Sequence, residues 1–202
     1  MQSGLYRGRS AEARAAERRQ RLLDATLAVW ADPDQRTTMT AVCAEAGLTE
    51  RYFYESFAGL DEALTAVLDG VAAEIEQVTL AAADTAGEEP AARVRATVAA
   101  FVQLLVDDPR KGRVAIVEAA GIPGLRQRRT DLLRYLAHRS AEEARTRLGL
   151  PPSRGERADE LAGLLFIGGM AELITAWLDG ALEATPDELV EAAAHGFLGV
   201  YG

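Results

Sequence analysis

Apolar side chains recur every three or four positions along the chain, and a sustained two-residue alternation is absent, so the pattern predicts helices and no strand. Leu22, Ala25, Val29 and Trp30 mark the apolar face of a helix over 11–31. The run DPDQRT breaks it, and Thr37 or Thr38 is a good N-cap for a short helix through Glu45. Gly47 ends that helix, and Thr49 caps a third that runs to Glu55. Gly- and Pro-bearing breaks then fall at 58–59, 84–90, 107–112, 121–124, 149–156 and 184–187. Between them the spacing predicts helices over roughly 60–82, 91–107, 110–120, 125–148, 157–181 and 187–201. The expected fold is all-α with about nine helices. A three-helix domain over 11–57 precedes a helical bundle over 58–202, and residues 1–10, which lack apolar period, form a flexible arm.

Residues 44–57, AEAGLTERYFYESF, gather three aromatics directly after a glycine turn. Two short helices crossing steeply need a small residue on the first, a glycine able to take positive φ, and an apolar residue on the second. Cys43, Gly47 and Phe53 meet these demands in order, which makes Cys43 a small core residue. With Leu48, Phe53 and Phe57 facing inward, helical geometry turns Glu50, Arg51, Tyr52 and Tyr54 outward. Such a helix-turn-helix lays its second helix in the major groove, where Thr49 suits a phosphate and Arg51 a guanine edge. A plain three-helix unit whose tyrosines cover surface would show the same spacing.

Composition narrows the chemistry. The single cysteine excludes an internal disulfide and, with only His138 and His195 far apart, leaves no metal site. There is no cluster of nucleophile and base and no glycine-rich phosphate loop, so neither an enzyme nor a cofactor is expected. His138, flanked by arginines, reads as surface. No apolar run of bilayer length is apparent and the arginine-rich N-terminus is unlike a signal peptide, so a cytoplasmic, nucleoid-associated protein without membrane contact is expected. The net charge is −9, yet residues 1–57 hold eight arginines and eight acids, so the whole excess lies in 58–202. Six arginines against Glu12 and Glu17 make residues 1–21 locally basic, and this end alone suits a polyanion.

Read together, RRQRLLDATLAVW, the Thr37-Thr38 pair, Val42-Cys43 with Ala46-Gly47, Thr49, and Tyr54 with Phe57 resemble the DNA-binding domain of TetR-family transcriptional regulators. The segment GLLFIGGMAELITAWLDGALEATPDELVEAAAHGFLGV is similar to the last two helices of that family, which pair with those of a second subunit. The resemblance implies a DNA-facing set of Arg36, Thr37, Thr38, Thr49, Glu50, Arg51, Tyr52, Tyr54 and Ser56. Three features depart from the family pattern. Leu60 stands where a phosphate-contacting lysine is common, DPDQR replaces a glycine with an aromatic, and Glu50, Glu55 and Asp61 add negative charge. DNA affinity is therefore expected to lean on Arg51, Arg36 and the arginines of the first helix.

In 157–181 an apolar face is interleaved with glycines, and Gly168-Gly169 inside a helix costs about 1 kcal/mol per residue relative to alanine. Close approach of another helix would offset that cost. The expected homodimer interface is a four-helix bundle built from Leu161, Leu165, Gly168, Gly169, Glu172, Trp177, Val190, Ala193 and Phe197. The alternative is that these stripes are buried within one chain. The resemblance also implies an unidentified small-molecule effector, for which Phe101, Leu105, Val117, Glu118, Phe166 and Met170 are the expected pocket. Glu118 would be its polar anchor unless it is simply a solvated acid. The function so implied is a homodimeric repressor released by its effector from a palindromic double-stranded DNA operator. A helical protein-interaction module without DNA binding is the other reading.

Overall fold

The computed structural model describes residues 10–120, 122–146 and 155–201. Among these the chain forms nine α-helices and no strand, and it divides into two compact units, 1–67 and 68–202. The expected arm at 1–10 lies outside the described residues except for Ser10.

The first unit contains α1 (Ala11–Ala31), α2 (Met39–Ala46), α3 (Glu50–Ser56) and the start of α4 (Leu60–Thr85). Ser10 caps α1 by accepting from the Ala13 amide at 3.0 Å, and Thr38 caps α2 by accepting from Ala41 at 3.1 Å. The α1 helix stops at Asp32, because the proline that follows holds Asp32 in extended backbone. The three helices close on a core of Leu22, Val29, Val42, Cys43, Phe53 and Phe57, joined by Ala63 of α4. Burying either phenylalanine contributes about 1.5–3 kcal/mol. Thr26, fully buried, satisfies its hydroxyl by donating to the Leu22 carbonyl at 2.7 Å. Ala63 explains why the units divide after Val67 and not at 57/58: the first turns of α4 belong to this core.

The second unit holds the rest of α4, then α5 (Pro90–Asp107), α6 (Pro109–Gly112), α7 (Pro123–Thr146), α8 (Glu156–Leu178) and α9 (Pro186–Tyr201). Glu89 and Asp108 cap α5 and α6, each followed by a proline at a position where a missing amide costs nothing. Asp108 also accepts from the Arg110 guanidinium at 2.7 Å, which pulls its carboxyl below the usual range. Val94, Val98 and Val102 of α5 pack on Leu189, Val190, Ala193, Ala194 and Phe197 of α9. Buried alanines of α7, Ala137, Ala141 and Ala144, give it a low-profile face. Gly163 of α8 comes so close to α7 that a Cβ there would stand 2.5 Å from the Ala137 carbonyl oxygen.

The predicted helix over 110–120 is not one α-helix. After α6 the backbone widens into a π turn, Arg113–Val117, then tightens into a 3₁₀ turn, Glu118–Ala120. The expected end of the 125–148 helix falls partly outside the described residues, α7 being described to Thr146.

Candidate functional site

In the first unit the turn between α2 and α3 is built by Gly47 at φ 60°, ψ 38°, a conformation open to glycine and strained for most other residues. Its amide donates to Ala44 and that of Leu48 to Cys43, at 3.1 and 3.0 Å, so the last carbonyls of α2 are satisfied as the chain reverses. Arg21 of α1 adds a guanidinium hydrogen bond to the Ala46 carbonyl at the same helix end. Burial pushes the Cys43 thiol up in pKa, aided by the charge of Glu50, which fits an inert core residue.

This turn presents α3 with Phe53 locked inside and a different set outside. Arg51 is 84% exposed and Tyr54 59%. Arg36, Thr49 and Glu50 are exposed as well, whereas Thr37, Thr38 and Ser56 are half-buried. Thr49 stands at the N-cap position of α3 but its side chain makes no capping hydrogen bond. Tyr52 differs from the expectation that it faces outward: it is half-buried, with the Arg18 guanidinium 4.6 Å above its ring.

The charges are also placed differently from the sequence expectation. Glu55 Oε1 accepts from Arg51 Nε at 3.0 Å, and Arg18 lies 3.8 Å from Oε2. Arg19 covers Phe57 at 4.5 Å. Arg18, Arg19 and Arg21 therefore already make contacts inside the unit, and Arg7 and Arg9 lie outside the described residues. Leu60 packs against the unit's core, which is why an apolar residue suits that position. Sequence reasoning missed Glu55 as a bridge, although the Arg51–Glu55 spacing of four was readable.

The second unit holds a partly open cavity of about 230 Å³. Ile75, Leu80, Phe101, Phe166, Met170 and Phe197 give it apolar walls, and Ala115 and Ile116 of the π turn contribute a further side. Of the expected pocket residues, Phe101, Phe166 and Met170 line it, while Leu105, Val117 and Glu118 do not. Leu105 is fully buried against Gly112 instead. Glu118 is not a cavity anchor: it lies 3.9 Å from Arg113, in ion-pair range. The wider i→i+5 turn rotates everything after Val114 out of the α-helical register on which that expectation rested. The ionisable lining is Glu76, Arg93, Tyr135, Arg139 and Glu143. Their grouping was invisible in sequence, because Glu76 and Tyr135 come from helices 59 residues apart.

The expected dimer set splits in two. Val190, Ala193 and Phe197 are buried in the second unit's own core, and Trp177 packs on that core while its indole donates to the Ala184 carbonyl at 3.1 Å. Phe197 also stacks edge-on against Phe166, with ring centroids 5.0 Å apart. The stripe of α9 is therefore spent within one chain, as the alternative had it. Leu161, Leu164, Leu165, Gly168, Gly169 and Glu172 instead share an exposed face of α8, and nothing approaches a Cβ placed at Gly168 or Gly169. With one face lining the cavity and the other apolar too, α8 is long and apolar enough to cross a membrane, with a mean hydropathy of 1.8 over 18 residues. That corrects the expectation that no such segment exists. Glu172, on the exposed face, is its only charge between Leu161 and Leu178.

No protein-family model and no curated protein sequence matches the chain. Solved structures do. The fatty acid degradation regulator FadR from Bacillus halodurans superposes with a TM-score of 0.74 at 16% identity, over 89% of this chain and 97% of that one. A TetR-like transcriptional regulator from Rhodococcus sp. RHA1 gives 0.67 at 20% identity, over 92% and 94%. A TetR-family regulator from Syntrophomonas wolfei gives 0.74 at 14%, over 90% and 93%. Over about nine-tenths of its length the chain has the fold of these TetR-like regulators.

Proposed function

We propose that the protein is a DNA-binding transcriptional regulator, without enzymatic activity, that grips a palindromic operator as a homodimer. The observation that carries this reading is the α2–Gly47–α3 turn. It buries Phe53 and Phe57 as a rigid base and leaves Arg51 and Tyr54 projecting from one short helix. Arg51 offers the bidentate fork that guanine accepts, and Tyr54 and Thr49 offer hydroxyls to phosphates. Arg36, Thr37 and Thr38 lie just before α2 and in this reading contact the backbone, while Glu50 is an acceptor for a cytosine amine.

A homodimer is supported by the α8 face, where three exposed leucines lie in the two turns before Gly168-Gly169, glycines that a second helix could approach closely. Two recognition helices then read half-sites about 34–36 Å apart. The cavity supports a ligand-responsive repressor: a small molecule bound there favours the dimer state whose helices no longer fit successive major grooves. The protein works in the cytoplasm.

A gel shift of the purified protein on the DNA upstream of its own gene, across salt concentrations, tests the reading. A specific complex that weakens by a log–log slope of roughly 0.9 per neutralised phosphate is the expected result. A helical interaction module is the second reading, favoured by Glu55, which holds Arg51 and faces Arg18. Absence of any shift at low salt, with an intact helical dimer, would decide for it.

A further inference from the structure

The charges that line the cavity cancel, and one hydroxyl among its polar groups stands apart; together these select the occupant. Two guanidiniums, Arg93 and Arg139, face two carboxylates, Glu76 and Glu143. Arg139 lies 3.2 Å from Glu143 and 4.0 Å from Glu76, whose Oε1 also accepts from the Tyr135 hydroxyl at 2.8 Å. Arg93 Nε donates to the Ala83 carbonyl at 3.1 Å. An anion could reach Arg139 only in competition with these carboxylates, and a cation could reach Glu76 or Glu143 only in competition with Arg139. An ion of either sign would therefore leave water for an apolar chamber of balanced charge. An uncharged molecule disturbs none of these pairs.

Four hydroxyls line the cavity, those of Thr79, Thr97, Tyr135 and Ser140. Thr79 and Ser140 donate back to the Ile75 and Leu136 carbonyls of their own helices, at 2.8 and 2.9 Å, and Tyr135 donates to Glu76. The Thr97 hydroxyl makes no hydrogen bond among the described residues. Thr97 lies on α5 three residues after Val94 and four before Phe101, so the three share one helix face and line the cavity together. A hydroxyl on an apolar wall can both donate and accept, which suits a neutral polar group. We infer that the cavity takes a small uncharged molecule, hydrocarbon apart from one hydroxyl or carbonyl. That group meets Thr97, and the hydrocarbon lies against Phe101, Phe166 and Met170. At about 230 Å³ the space is small beside the roughly 300–1,000 Å³ of drug-sized sites, so the molecule is short or singly ringed.

The inference rests on the reading of this cavity as a ligand site, but its test does not involve DNA. Isothermal calorimetry on the full chain at neutral pH compares octanol, octylamine and octanoate, which share one hydrocarbon chain. Octanol should bind about tenfold or more tighter than either ion. Thr97→Val keeps the shape of the side chain without its hydroxyl and should weaken octanol by about threefold to tenfold. Glu143→Gln leaves a guanidinium in excess, so it should narrow the gap between octanol and octanoate and widen that between octanol and octylamine. Four results overturn the inference: either ion binding as tightly as octanol, no binding by any of the three, gaps unmoved in Glu143→Gln, or octanol affinity unmoved in Thr97→Val. Those failures alongside an intact gel shift would leave the DNA reading standing, and octanol binding without a gel shift would remove only the DNA reading.

Discussion

Gly163→Ala should destabilise the second unit, and the size of the effect follows from three distances. The added Cβ would stand 2.5 Å from the Ala137 carbonyl oxygen and 2.9 Å from both its carbonyl carbon and its Cβ. All three atoms are backbone or Cβ, so no rotamer change relieves the overlap. To reach ordinary contact, α7 and α8 must part by about 1 Å along a closely packed seam. Overpacking of this kind costs about 1–3 kcal/mol, offset by up to about 1 kcal/mol from replacing a helical glycine with alanine. The middle of that range, a net loss of about 1–2 kcal/mol, lowers the thermal midpoint by about 2–8 °C in a chain of this size. Gly70→Ala is the matched control: it is exposed within α4, nothing lies within 4 Å of its Cβ, and it should raise the midpoint by about 1–4 °C. Circular-dichroism melts of both variants and the wild type, at one protein concentration, provide the measurement. A Gly163→Ala protein that melts at or above the wild type would refute the close approach of α7 and α8.

Glu55→Gln should strengthen DNA binding by about threefold to tenfold and steepen its salt dependence, because it frees Arg51 and Arg18 for phosphates; weaker binding by gel shift would show that the carboxylate orients Arg51 productively. Arg51→Ala should do the opposite without changing the melting temperature. Leu165→Glu places a charge on a residue 68% exposed in the isolated chain, so it should leave the fold intact but shift sedimentation towards monomer; an unchanged dimer would exclude the α8 face as the interface. Burial pushes the Tyr201 hydroxyl up to about 12, and no partner meets that hydroxyl among the described residues. The raised value means the neutral phenol stabilises the fold fully below the ordinary tyrosine pKa near 10, and the contribution fades as pH climbs through about 12. Tyr201→Phe should therefore melt no lower than the wild type at neutral pH and hold its stability better in alkali, and a clear loss at neutral pH would reveal a missed hydrogen bond.

Helix positions were legible in the sequence because they depend on local rules. Thr38 caps, Pro33 stops, Gly47 reverses the chain, and the apolar period of Leu22 to Trp30 fixes a face, all within a few residues of one another, whereas the Ser10 cap of α1 falls in the stretch that the sequence pattern assigns to a flexible arm. The same locality made the α2–α3 turn readable, since Cys43, Gly47 and Phe53 are a single short run. What failed was whatever required knowing which helix lies opposite. The α9 stripe looked like an interface because Val190, Ala193 and Phe197 carry no mark of the α5 valines that cover them. The glycines of α8 look alike in sequence, yet Gly163 touches α7 while Gly168 and Gly169 face outward, a difference set by helix rotation alone. Glu118 was misplaced by one widened turn, and the joining of Glu76, Tyr135, Arg139 and Glu143 at the cavity edge needs α4 and α7 side by side. Charge and periodicity are properties of the chain; partnership between distant residues is decided only by the packing that brings them together.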